Sequence, residues 1–173
     1  MRYLAVAFFI IFFSLNLVIV DFNFYENKGN CEDLCGNVIK YFFYFGELEG
    51  DYSEQELIHM EDVRNLVIGS FAIMLVLLSF MVFVTKRDFL IGGVISSGVI
   101  FLLLIFLLLD FSFAFEIFHK VFFRNDFWLL PDDSLLITMS PESFFYMAGV
   151  RIVLYTSLFS GLSIIGGLLK WQK

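Results

Sequence analysis

The chain has 173 residues, 60% of them hydrophobic and 20% aromatic, with a mean hydropathy of +0.85. That is too apolar for an ordinary soluble domain and points to a single integral membrane domain over residues 1–173. The formal net charge of −7 argues against nucleic acid as a partner, which needs clustered Lys and Arg.

Four stretches are long enough to cross a bilayer as helices, which takes about 20 apolar residues. They are residues 3–20, 66–84, 89–109 and 144–169. The first three carry no charge, and the fourth carries Arg151. The first follows Arg2 but reaches Asp21 with no small-x-small cleavage site, so it is read as a retained helix. The expectation is an all-α membrane protein with four transmembrane helices and two extracytoplasmic loops, 21–65 and 110–143, forming a cap.

In the first loop the run from Val38 to Phe45 is apolar and aromatic, and periodicity does not decide between strand and helix. Ser53 followed by Glu56 fits a capping box, from which a helix can run unbroken into the second span. The second loop opens with Phe111, Phe115, Phe118 and Phe122 at spacings of three and four, an amphipathic helix. Pro131 and Pro141 limit helix in the connection that follows, and Pro141-Glu142 opens the fourth span. Three small-xxx-small pairs, Gly93/Ser97, Ser157/Gly161 and Ser163/Gly167, suggest close contact of the third and fourth spans.

Charge sets the expected orientation. Arg2, Lys86, Arg87, Lys170 and Lys173 mark one side as cytoplasmic by the positive-inside rule. Residues 21–65 hold eleven acids against three bases, and residues 110–143 six against two, so both loops are expected outside.

The only two histidines, His59 and His119, both fall where an apolar segment meets an acidic loop. Histidine has the side-chain pKa closest to neutral, so two at one membrane surface can supply an acid and a base; the bland reading is two hydrated interfacial residues. Asp62 at i+3 and Glu56 at i−3 could each orient His59. Asn125, Asp126 and Trp128 form a polar-aromatic knot. In it Asp126 could orient a histidine and Asn125 could donate to an oxyanion, or the knot is a capped turn with an interfacial tryptophan. Arg151 lies near the outer edge of the hydrocarbon, where it could hold a lipid carbonyl or phosphate or pair with Asp110 or Asp126; alternatively it snorkels to the headgroups. Cys31 and Cys35 favour a structural disulfide, slightly, over free thiols, and their spacing without clustered histidine argues against a zinc site.

The run F-H-x-V-F-F-x-N-D-x-W-L-L from Phe118 to Leu130, then Asp133 with Leu136 and Ile137, then M-x-P-E-x-F-F from Met139 to Phe145, resembles the bacterial lipoprotein intramolecular transacylase (Lit) family. His59-Met60-x-Asp62-Val63-Arg64 resembles that family's other signature. The resemblance implies a membrane acyltransferase acting on diacylglyceryl-modified lipoproteins. It would move the sn-2 acyl chain to the lipoprotein's own N-terminal α-amine and leave the lyso form, without a cofactor. It implies His59 and His119 as the catalytic pair, with Asp62, Asn125, Asp126, Trp128, Glu142 and Arg151 binding or supporting. The competing reading is a non-catalytic membrane binding or assembly protein with the same fold.

Overall fold

The computed structural model of the chain describes residues 1–21, 23–25 and 34–169. Cys31, the side chain of Cys35, Lys170 and Lys173 lie outside the described residues, and the question of a disulfide lies there with them. Among the described residues, besides a short helical stretch at 23–25, seven helices follow in order: α1 Arg2–Ile19, α2 Leu34–Phe42, α3 Glu54–Phe80, α4 Lys86–Leu109, α5 Phe111–Phe122, α6 Leu135–Met139 and α7 Glu142–Leu168. A 3₁₀ turn, Met81–Phe83, prolongs α3. No strand occurs among the described residues. Four helices, α1, α3 with its 3₁₀ turn, α4 and α7, are long and apolar enough to cross a membrane, as the sequence predicts.

The helix starts are written in short polar signals. Ser53 and Glu56 form the expected capping box: the Ser53 hydroxyl accepts from the Glu56 amide at 3.3 Å, and the Glu56 carboxylate accepts from the Ser53 amide at 2.8 Å. Thr85 and Asp88 repeat the device at α4, with the Thr85 amide donating to Asp88 at 2.9 Å. Asp110 caps α5 by accepting from the Phe113 amide at 3.0 Å. Because α3 begins at Glu54, its acidic first turns stand clear of the apolar run that starts at Leu66. The 30 residues to Phe83 extend about 45 Å, against a hydrocarbon thickness of about 30 Å, so residues 54–65 lie outside the membrane-crossing part.

The chain divides into two compact units. The first comprises Met1–Leu17, Ser70–Ile105 and Val150–Lys173. Here α4 and α7 meet through small residues: a side chain on Gly93 would strike the Ser160 carbonyl at 2.9 Å, and one on Gly167 the Leu90 backbone at 2.8 Å. The Ser96 and Ser160 hydroxyls bond each other at 2.7 Å, and Ser163 donates to the Phe89 carbonyl at 2.8 Å. Gly93 and the Ser163/Gly167 pair thus sit in the contact, while Ser157 is exposed and nothing approaches Gly161. The contact follows positions 160, 163 and 167, and a residue one step off is turned about 100° away. Asn16 on α1 and Ser70 on α3 form a further polar clasp, the Ser70 hydroxyl donating to the Asn16 amide oxygen at 2.8 Å.

The second unit comprises Val18–Gly69 and Phe106–Gly149. The aromatic run that periodicity left open is helical through Phe42. It docks on α3 through Arg64, whose guanidinium lies 4.4 Å from the centroids of both the Tyr41 and Tyr44 rings. Glu56 has a second task, accepting from the Leu136 amide at 2.9 Å and so anchoring α6. Phe144 at the start of α7 packs on Phe24 with centroids 5.0 Å apart. The phenylalanine stripe does lie on a helix, α5, but its Phe118 and Phe122 remain exposed. Its buried residue is His119.

Candidate active site

Two elements of the second unit carry the histidines. His59 sits in the second turn of α3, before the apolar run, and His119 in the last turn of α5. Both are buried, at 8% and 7% exposure. Their imidazole centroids are 5.9 Å apart with planes inclined by 35°. Aromatic rings wall them in. Phe115 is 4.2 Å from His119, and Trp128 lies parallel to it within 30° at 5.0 Å. Phe123, buried at the end of α5, packs on both imidazoles, at 5.0 Å from His59 and 5.3 Å from His119.

The polar contacts of the two rings differ. Nδ1 of His119 lies 2.7 Å from the Phe115 carbonyl oxygen. A carbonyl only accepts, so Nδ1 carries the proton and the neutral ring keeps its lone pair on Nε2. Nδ1 of His59 is buried and has no hydrogen-bond partner among the described residues. Neither carboxylate flanking His59 on α3 bonds that nitrogen: Glu56 serves the cap and Leu136, and Asp62 accepts from the Asn125 amide at 2.8 Å.

Electrostatics keep both rings neutral. Burial, then the neighbouring His119, pushes the His59 pKa down to about 4, with Asp62 opposing. Burial likewise lowers the pKa of His119, against the upward pull of its bond to Phe115. Two imidazolium ions at this separation would repel in a poorly solvated setting, so the pair takes one added proton far more readily than two.

Asn125, Asp62 and Trp128 join the histidines in one cluster. Asn125 spans the loop after α5, its amide nitrogen on Asp62 and its oxygen accepting from the Phe127 amide at 3.1 Å. Its role is therefore to hold the loop on α3, and the loop in turn holds Trp128 against His119. Gln55 adds a clamp the sequence did not suggest, donating to the carbonyl of Leu129 at 2.9 Å. Asp126 is exposed. Glu142 accepts from the Ser112 hydroxyl and so ties the start of α7 to α5. Arg151 belongs to the other compact unit. Among the described residues no three His, Cys, Asp or Glu side chains come together as a metal site.

The model of the lipoprotein intramolecular transacylase Lit family matches residues 45–145, more than half of the chain and every residue of this cluster. The chain belongs to the Lit family. It is thereby a membrane transacylase of the lipoprotein intramolecular type. The fold agrees with the membrane integral lipoprotein intramolecular transacylase Lit from Bacillus cereus, with a TM-score of 0.85 at 23% identity over 94% of this chain and 88% of that one. Two variants of the same B. cereus protein, each with one histidine replaced, by arginine or by alanine, superpose with TM-scores of 0.74 at 23% identity. They cover 94% of this chain and 85% and 86% of theirs. No curated protein matches.

Proposed function

We propose that this Lit family member moves the sn-2 acyl chain of a diacylglyceryl-cysteine lipoprotein to that protein's own N-terminal α-amine. The product is the N-acylated lyso form with a free sn-2 hydroxyl. The observation that carries this reading is the pair of buried, neutral imidazoles 5.9 Å apart in a member of a transacylase family.

The bonds and protons balance with no cofactor. The amine nitrogen attacks the ester carbonyl carbon, a C–N bond forms, and the ester C–O bond breaks. One proton leaves the amine and one arrives on the sn-2 oxygen. A pair that carries one added proton at a time suits that transfer. His119 takes the proton on Nε2, the nitrogen left free by the bond to Phe115, which also makes the ring more basic. His59 lies close enough to take part in returning a proton to the departing alkoxide. The α-amine, with a reference pKa near 8, is well matched to an imidazole base. Asp62, Asn125 and Trp128 position the pair, and Arg151 is proposed to engage the substrate ester or headgroup from α7. Glu142 supports by holding α5 against α7, and Asp126 acts at the exposed rim.

The excess of Lys and Arg at Arg2, Lys86 and Arg87 supports cytoplasmic ends, and the acidic loops support a histidine site at the extracytoplasmic face of the cell membrane, beneath a cap. There the substrate's tails stay in the leaflet while its ester reaches the interface. The test is mass spectrometry of a lipoprotein co-expressed with this chain. Transfer appears as N-acyl lyso-lipoprotein. A lipoprotein that stays diacylglyceryl-modified with a free amine would leave the non-catalytic binding or assembly reading in its place.

A further inference from the structure

In the proposed transfer the amine proton lands on His119, and a charge formed there has little to meet it. The ring is buried, and its Nδ1 already donates to the Phe115 carbonyl. Among the described residues no carboxylate pairs with it. The charged and titratable groups around it are engaged elsewhere. On α3, Asp62 accepts from Asn125 and Glu56 serves the cap and Leu136, while His59 stays neutral. On α5, Glu116 and Lys120 pair with each other at the surface. Arg124 and Asp126 in the loop after α5 are exposed. What does lie on the ring is aromatic. Trp128 stacks on it with centroids 5.0 Å apart and planes within 30°, and Phe123 does so at 5.3 Å. The face of an aromatic ring carries negative charge density, that of indole the most, and attracts a cation within about 6 Å of its centre. The attraction is to the charge, so it favours imidazolium over imidazole.

The indole is held there in advance. Gln55 on α3 donates to the carbonyls on both sides of it, to Phe127 at 3.3 Å and to Leu129 at 2.9 Å. The Leu130 amide donates to the carbonyl of Trp128 itself at 3.0 Å. A group fixed before the charge appears needs no rearrangement when it does, which makes it effective in a transition state. We propose that the indole face of Trp128 stabilises the imidazolium that His119 becomes during acyl transfer, with Gln55 holding the indole in place, a role that rests on the acyl-transfer reading because that reaction supplies the charge. As the amine nitrogen bonds to the ester carbon, the carbonyl π electrons move to oxygen and the amine proton moves to Nε2 of His119. An imidazolium and an oxyanion result. They last until the C–O bond breaks and a proton reaches the sn-2 oxygen. Trp128 acts on the first of these charges, and through His119 alone.

The other tryptophan of the chain is Trp171, so a Trp171→Phe chain grown on mono-, di- or trifluorotryptophan is altered at Trp128 alone. Each fluorine withdraws density from the indole face and nearly keeps its shape, so folding is not at stake. Two quantities are followed in the full chain: the rate of lyso-form conversion, and the pKa of His119 from its imidazole carbon resonance, assigned with His59→Gln. Both should decline in step with the number of fluorines, towards about tenfold in rate and about one pH unit, with Trp128→Leu at the low end. Gln55→Leu should move both the same way by less. A pKa that stays flat across the fluorinated series would overturn the proposal and leave Trp128 as packing. So would a pKa that falls while the rate of an active chain does not, since the indole would then be absent from the transition state. Should no form of the chain convert lipoprotein, the acyl-transfer reading fails, and the titration alone decides whether Trp128 stabilises the imidazolium.

Discussion

Nδ1 of His119 donates to the Phe115 carbonyl one helical turn before it, at 2.7 Å, while Nδ1 of His59 finds no partner among the described residues. The two imidazoles are therefore not equivalent. The first has its tautomer fixed by backbone and the second, among the described residues, does not.

If they act as one unit, His59→Ala and His119→Ala should each nearly abolish conversion of diacylglyceryl-lipoprotein to the N-acyl lyso form. The expected loss is about 10²–10⁴ in rate, and the double variant should be little worse than either single one. Conversion is followed by intact mass on protein that still inserts. Full activity in either single variant removes that histidine from the mechanism.

The pH response follows from the lowered pKa values. The unfolded chain binds a proton on His59 near 6.5, whereas the folded protein does so only near about 4. Between those values the unfolded state holds more protons, so stability rises with pH. The His59 contribution is fully present above about 6.5 and is lost as pH falls through about 4, with His119 acting in the same direction. Thermal unfolding in detergent from pH 7 to pH 4 should show a falling midpoint. The fall should be shallower in His59→Gln, whatever the absolute stability of that variant. A slope unchanged by the substitution would mean that His59 is not buried neutral.

Asp62 and Asn125 offer a positional test. Their bond, at 2.8 Å, ties the loop bearing Trp128 to the helix bearing His59. Asn125→Asp sets two carboxylates face to face, and activity should fall about tenfold or more, the scale of a lost hydrogen bond to a charged group. Exchanging the partners, Asp62→Asn with Asn125→Asp, restores one carboxylate and one amide and should recover most of that loss. A double variant as poor as the single one would show that the pair does more than hold the loop.

Much of this arrangement was legible in the chain. Long uncharged runs flanked by Lys86 and Arg87 can hardly be anything but spans, because only helices and closed barrels satisfy their backbone within hydrocarbon. Ser53/Glu56 and Pro141-Glu142 set helix starts through local bonds that spacing alone reveals. What depends on non-local closure was not legible. Asp62 and Asn125 each stand out in sequence, but the bond between them spans 63 positions and carries no local signal. Trp128 read as an interfacial anchor because stacking on His119 depends on how the loop folds back. Glu56 read as an orienter of His59, yet its carboxylate is claimed by the cap and by the Leu136 amide. The Phe115 carbonyl is an intermediate case. It lies four residues before His119 on a helix, a spacing visible in sequence, but only the ring's rotamer turns that neighbour into a bond.

Helix packing in the first unit supplies the last prediction. Four glycines on α4 and α7 look alike in sequence but differ sharply in surroundings. A Cβ on Gly92 would lie 2.6 Å from Val6 and 2.8 Å from the Tyr3 carbonyl, and one on Gly93 would lie 2.9 Å from the Ser160 carbonyl. Around Gly98 and Gly161 nothing lies within 4 Å. Backbone cannot retreat as a side chain can, so Gly92→Ala and Gly93→Ala must push helices apart. Overpacking of this kind costs about 1–3 kcal/mol. Gly98→Ala and Gly161→Ala should be neutral, or slightly stabilising through helix propensity. Thermal unfolding of the four variants side by side in detergent should separate them two and two. Equal melting across the set would mean that α4 does not approach α1 and α7 as closely as these distances require.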